Sequence, residues 1–307
     1  MSTDRGVALL NALILVAAIS AIATGLMLRA ETSRARVEDL LISEQAALHL
    51  DAAEWLINPV LRADWEREQG LDHLLEGWAL EGFQATIDRA ELSGRIIDLQ
   101  GRFNINSLGD AGDLAAAQSF ERLLRTLGLP VALGPEVAGF MQARGPVLPE
   151  EYATRAVPLR PPGEPLETVD ELRLVRGMTE AHFVRLVPFV AALPPDMPLN
   201  VNTASGEVLG ALFATANPAG IARLIAERGR LPFATLADFK ARAESLLHPL
   251  VIAQALVPSG GLSTATDWFE ARFDLSLDGR VQSRILVIER SELTGATEIR
   301  SRRAAPL

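Results

Sequence analysis

Between Val7 and Leu28 the chain runs 22 residues without a charge, broken only by the small polar Asn11, Ser20 and Thr24. As a helix rising about 1.5 Å per residue, such a run covers about 33 Å, enough to cross a bilayer. Beyond Arg29 the apolar positions thin to three- and four-residue spacings, at Val37, Leu40, Leu41, Ala47, Leu48, Ala52, Trp55 and Leu56. That period predicts one long helix from Val7 until Asn58-Pro59 stops it. Its outer half is amphipathic, with the stripe, Trp55 and Leu56 included, laid on a sheet.

Period-two alternation takes over at Phe83, Ala85 and Ile87. Ser93-Gly94 reads as a turn, and Ile96, Ile97 and Leu99 lead to Gly101-Arg102-Phe103-Asn104-Ile105-Asn106. A second strand pair lies near the other end, where Ala271, Phe273, Leu275 and Leu277 alternate with polar residues. Asp278-Gly279 is a two-residue hairpin turn, and Val281 to Ile288 returns as an apolar strand. The expected fold is therefore α+β, a long helix packed on an antiparallel sheet with a large all-α insertion between its strands. In residues the expected division is 7–28 for the membrane part, 29–106 for the outer helix and first strands, 107–259 for the insertion and 260–307 for the last strands.

Within the insertion, Leu199-Asn200-Val201-Asn202-Thr203-Ala204 opens a helix from Ser205 to Phe213, followed by Ile221 to Glu227 and Leu236-Ala237-Asp238-Phe239. This is the grammar of a helix-hairpin-helix unit. A related unit runs from Leu166 to Thr179, and Asn104-Ile105-Asn106-Ser107 echoes Asn200-Val201-Asn202-Thr203. The insertion thus reads as two imperfect repeats joined by the Pro-rich stretch from Val157 to Pro165. Asn202 and Thr203, just ahead of an apolar helix, read as helix caps.

Composition narrows the chemistry. There is no cysteine, which removes disulfides and thiolate catalysis, and the net charge is -10, which argues against a nucleic-acid partner. DNA-binding hairpins present a Gly-hydrophobic-Gly phosphate nest, whereas Gly177-Met178-Thr179 and Pro218-Ala219-Gly220-Ile221-Ala222 each lack one glycine. The histidines His49, His73, His182 and His248 are scattered, without metal-ligand spacing or a nucleophile motif beside them. Nothing in the chain carries a reaction, and an enzyme is not expected.

The N-terminus admits three readings. Ala21-Ile22-Ala23 offers a signal-peptidase site, and a plain signal anchor is the second reading, although Arg5 stands alone before the span while Arg29, Arg34 and Arg36 follow it. The third follows from Arg5-Gly6 set directly before the apolar run, which resembles the type IV prepilin signal, cut after the glycine. Most pilin-like subunits have Glu at the fifth position after the cut, and here that position is Asn11. In this the chain is similar to the K-type minor pseudopilins of type II secretion (the GspK family). The resemblance also takes in the Gly101 to Asn106 strand end, the Val201-Asn202-Thr203-Ala204 motif and the C-terminal hairpin.

The resemblance implies a prepilin leader at 1–6, cleavage between Gly6 and Val7 by a prepilin peptidase, and methylation of Val7. It implies an inner-membrane origin, a periplasmic C-terminal domain, and a place at the pseudopilus tip in the export of folded proteins. The implied partners are the I- and J-type minor pseudopilins, with the H type and the major pseudopilin, and the apolar stripe at Val37, Leu41 and Leu48 is the expected contact. Bound calcium is implied too. The densest oxygen ligands are Asp110 and Asp113 among Gly109 and Gly112, with Asp98 one strand earlier, although turn and capping roles explain the same aspartates. The rival function is a membrane-anchored helix-hairpin-helix DNA receptor of a competence system.

Overall fold

The computed structural model describes residues 3–80, 82–213 and 217–304, with the backbone alone over 3–9 and at 11. α1 (Thr3–Trp55) starts ahead of the apolar run, and α2 (Ile57–Arg67) follows after a break at Leu56. The expected stop at Asn58-Pro59 therefore falls inside the next helix. Pro59 has no N–H, and its ring would strike the carbonyl four residues earlier, which is that of Trp55; the interruption appears at the residue the proline acts on.

The chain continues through β1 (Phe83–Ile87) and β2 (Ala90–Asp98) into the insertion. Its first half holds β3 (Phe103–Asn104), α3 (Leu114–Thr126), α4 (Leu133–Met141), α5 (Glu150–Ala153), α6 (Glu180–Leu186) and β4 (Val190–Ala191). The second holds β5 (Leu199–Asn200), α7 (Gly206–Leu212), α8 (Pro218–Arg228), α9 (Leu236–Leu247), α10 (Pro249–Ala253) and β6 (Leu262–Ser263). Each half closes by a short parallel pair, β3 with β4 and β5 with β6. The Pro-rich stretch from Val157 to Pro165 lies inside the first half, and the joint between halves is the segment 192–198.

β7 (Trp268–Leu277), β8 (Arg280–Arg290) and β9 (Thr297–Ala304) complete a five-stranded antiparallel sheet in the order β1-β2-β7-β8-β9. The Asp278-Gly279 turn stands as expected, with both residues at positive φ between the paired Leu277 and Arg280. Ser93-Gly94 is not a turn: β2 runs straight through it, and the reversal is at Asp88-Arg89, where Asp88 has φ 53°. Gly94 is in the strand because a Cβ there would collide with the rings of Phe83 and Phe273. β9 escapes the sequence pattern because it is an arginine-rich edge with no buried residue.

The face α1 lays on the sheet also differs from the expected one. Ala46, Leu50 and Ala53 are buried there, with Ile57 of α2 beyond them, in one core with Phe273, Leu275 and Leu286. Val37, Leu41, Leu48 and Trp55 stand 58%, 59%, 67% and 81% exposed, on the opposite side of the helix at 100° per residue. The alanines bring the helix axis close to the sheet, where larger side chains would hold it off. Polar ties fasten the contact: Arg284 donates to Asp51 and Glu54, Arg302 to Glu54 at 2.9 Å, and Gln282 to Ser43 at 3.0 Å. The insertion has a separate core around Phe120, Phe140, Tyr152, Leu186, Leu209 and Phe233.

Candidate functional site

Where the insertion meets the sheet, several acids are buried around one arginine. Asp98 ends β2 and accepts from Gln100 N at 2.6 Å, Thr203 Oγ1 at 2.5 Å, Thr266 Oγ1 at 2.7 Å and Asn200 Nδ2 at 2.9 Å. Burial nevertheless pushes its carboxyl up to about 6. Asp72 accepts from Arg290 at 2.6 and 2.7 Å and from Thr266 N at 2.8 Å, and Arg290 also donates to Thr266 O and lies over the Phe269 ring. Loss of solvent raises Asp72, lifts Asp64 to about 6 and lifts Glu76 to about 8. The result is one hydrogen-bonded chain from α2, through Arg290 of β8, to the second half of the insertion.

Two overlapping sets in this region, Glu68, His73 and Glu76, and Asp64, Asp72 and Glu76, bring ligand atoms within 4.8 Å of one another. In the second set the Arg290 guanidinium already bridges Asp72 and Asp64. In the first, Leu75 N donates to His73 Nδ1, which leaves the ring proton on Nε2, the atom facing Glu68 and Glu76. The expected set Asp98, Asp110 and Asp113 does not fit calcium. Asp98 is filled by four donors, Asp110 Oδ1 accepts from Gly112 N at 2.7 Å, and Asp113 caps α3 through Ala116 N at 2.8 Å while accepting from Ser259 N at 2.7 Å. Each carboxylate turns to its own donors, and the three do not converge among the described residues.

The two Asn-x-Asn motifs do matching work. Asn202 Oδ1 accepts from Phe233 N at 2.9 Å and its Nδ2 donates to Phe233 O at 3.0 Å. Asn106 does the same to Leu166, at 2.8 and 2.9 Å, and also donates to Leu193 O. The capping role expected for Asn202 and Thr203 is thereby corrected: Ser205 caps α7, while Asn202 splices two loops and Thr203 bonds Asp98. Arg228 supports the same loop, donating from a buried site to Val201 O at 2.8 Å and Ala204 O at 2.7 Å, with burial pulling it down to about 10. Arg242 is held by Leu231 O, Pro232 O and Asp238. Two of the basic side chains a DNA-binding hairpin would need are thus turned to carbonyls.

Of the other expected residues, Val37, Leu41 and Leu48 share an exposed stripe on α1, and at Gly6, Val7 and Asn11 the backbone alone is described. One helix among those described is long and apolar enough to cross a membrane.

Two family models match this chain, both described as type II secretion system protein K, over residues 101–195 and 199–266. Type II secretion system protein K of Pseudomonas aeruginosa is 32% identical over 94% of this chain and 90% of its own length. The chain belongs to the protein K family of type II secretion systems. The protein of the same name from Klebsiella pneumoniae is 28% identical over 97% of this chain and 96% of its own. In fold, the chain is similar to a crystal structure of the GspK-GspI-GspJ complex from enterotoxigenic Escherichia coli, with a TM-score of 0.76 at 22% identity, covering 89% of this chain and 100% of that one.

The two protein K matches fall on the two halves of the insertion, 101–195 from just before β3 to just past β4, and 199–266 from β5 to Thr266. Each match begins within a few residues of its Asn-x-Asn motif. Sequence reasoning passed over Asp72, Thr266 and Arg290, which lie far apart along the chain and inside no motif. Arg290 lies two residues beyond Ile288, on the buried side of β8, and a charged residue at that position of the alternation was the one signal available.

Proposed function

We propose that this protein K family member is a minor pseudopilin at the tip of the type II secretion pseudopilus, with a structural rather than a catalytic part in the export of folded proteins. The observation that carries the reading is the pairing of an insertion matched by both family models with a helix whose second apolar stripe is uncovered. On this reading the first span sits in the inner membrane and the folded part lies in the periplasm. Val37, Leu41 and Leu48 pack against I- and J-type subunits, and the H type and major pseudopilin follow below. The leader is cut between Gly6 and Val7 by a prepilin peptidase, and Val7 is methylated.

Co-expression of the full chain with I- and J-type subunits tests the partners. Leu41→Asp with Leu48→Asp abolishes co-purification while the insertion keeps its unfolding midpoint; retained co-purification overturns the contact. Intact mass of the membrane-extracted chain tests processing, since a mature start at Thr24 would discard the pilin reading. Calcium belongs to the proposal through the family resemblance, without an assigned ligand set. It calls for a higher unfolding midpoint in millimolar calcium than in chelator, and equal midpoints remove it.

A further inference from the structure

The two edges of the sheet are built differently. β9 closes one side with Arg300, Arg302 and Arg303, charges of the kind that keep another strand away. β1 closes the other with Phe83, Gln84, Ala85, Thr86 and Ile87, which include no charge and no proline and are all exposed. The two-residue turn at Asp88-Arg89 sets Ile87 opposite Ala90 as a hydrogen-bonded pair. By alternation Phe83, Ala85 and Ile87 turn their main-chain groups to β2, while Gln84 and Thr86 turn theirs outward. Among the described residues, β1 has no second strand beside it and no main-chain partner outside β2. Its apolar side chains are uncovered as well. Phe83, Ala85 and Ile87 lie on the α1 side of the sheet, opposite Gly94, Leu92 and Ala90, yet Phe83 is 40% and Ile87 36% exposed, because α1 packs on β7 and stops short of this edge.

Between that uncovered face and the helices lies a cleft of about 490 Å³, walled by Leu56, Val60, Trp78, Leu80 and Phe83. Leu48, Ala52, Leu56 and Val60 are exposed at four-residue intervals, and Val60 N donates to Leu56 O across the helix break. The uncovered stripe of α1 therefore runs into the cleft. We infer that β1 is a docking edge, taking an extended, uncharged segment of a partner subunit as a further strand, with one apolar side chain of that segment in the cleft. Free main-chain groups on alternate residues are matched by another strand and not by a helix, whose N–H and C=O groups are already paired. The choice of a partner subunit over a second copy rests on the reading proposed above, since stripe and cleft are one surface that a single subunit can cover with its helix and its strand. Lipid is out of reach, because Ala53, which also lines the cleft, is 25 residues beyond Leu28, about 37 Å along the helix.

The test follows hydrogen exchange at single amides in the full chain in detergent, alone and co-purified with the partner subunits proposed above. The Gln84 and Thr86 amides exchange freely in the chain alone and at least tenfold more slowly in the complex, while the Ala85 amide, already bonded to β2, changes little. Thr86→Pro removes one outward N–H at an edge position that tolerates proline, so it weakens the complex at least tenfold and leaves the unfolding midpoint of the chain unchanged. If Thr86→Pro does not fold, Leu80→Asp, which puts a charge in the cleft from an exposed position, replaces it with the same expected loss. A complex in which the Gln84 and Thr86 amides exchange as before, or whose affinity survives the folded variant, overturns the docking edge and leaves the partner reading standing. Protection of the two amides that grows with the concentration of the chain alone makes the occupant a second copy and overturns the inference too. Absence of any complex with the unaltered chain overturns both.

Discussion

The two halves of the insertion use one local device and grip the sheet in different ways. In both, the second asparagine of the motif splices a distant loop by bonding its N–H and C=O together. The first asparagines diverge. Asn104 donates to Pro194 O and Pro195 O, within the insertion, whereas Asn200 donates to Asp98 Oδ2 and Asp72 O, outside it. The first half meets the sheet through apolar contact, Ala191 and Leu193 against Leu99, Trp268 and Val287, and through the ion pair of Arg303 with Asp170. The second half meets it through buried acids. The difference teaches that the motif specifies a splice, and that its surroundings decide whether the splice becomes a joint.

The largest expected effect breaks the second grip alone. Arg290→Met leaves Asp72 buried without its counter-charge and lowers unfolding free energy by about 4 kcal/mol, while Arg303→Gln, removing the partly exposed pair of the first grip, costs under about 1 kcal/mol. Denaturant titration of the two variants checks the contrast, and equal losses would erase it. Next, Asn106→Ala and Asn202→Ala each strand buried backbone groups and cost about 3 kcal/mol apiece. Hydrogen exchange sharpens this pair, with the loss of protection centred near Leu166 in one variant and near Phe233 in the other.

A smaller difference separates the first asparagines. Asn200→Ala should exceed Asn104→Ala by about 1 to 2 kcal/mol, because it exposes two buried acceptors to each other where Asn104 leaves two carbonyls within reach of water. Equal losses would show that the acids do not depend on that amide. The same acids also set a pH dependence. Glu76, Asp98 and Asp64 titrate above their ordinary values when folded, so between the unfolded range near 4 and about 8 the native state binds more protons. Stability is therefore greatest at the acid end and falls as pH rises toward 8. Glu76→Gln should flatten the slope, measured as unfolding midpoints from pH 5 to pH 8.5, and a slope that persists unchanged would locate the titrating group elsewhere.

What the sequence disclosed follows from how local each cause is. The Asp278-Gly279 hairpin was legible because the alternation of Phe273, Leu275 and Leu277 and the turn dipeptide sit together. The span and the long helix were legible for the same reason. The helix face was misread because the contact rests on Ala46 and Ala53, small residues that a count of large apolar side chains passes over in favour of Leu41 and Leu48. Gly94 suggested a turn because glycine is scarce in strands, but its cause is a pair of rings, one of them 179 residues away at Phe273. Asp98 was singled out for cation chemistry, yet its partners Asn200, Thr203 and Thr266 lie more than 100 residues off, and only folding shows that they fill it.

α1 can also be considered mechanically. Its 53 residues make a rod of about 80 Å, of which the sheet clamps only the stretch from Asp39 to Trp55, about 25 Å. The rest is a cantilever fixed at one end. A tilt of the sheet by 10° would swing the N-terminal end sideways by about 9 Å, close to the spacing of packed helices. Small changes in the tilt of the sheet are thus amplified at the far end of the rod. Force applied along the rod instead loads the arginine ties to Asp39, Asp51 and Glu54 together, in shear, so the head resists being pulled off more than it resists being leaned over.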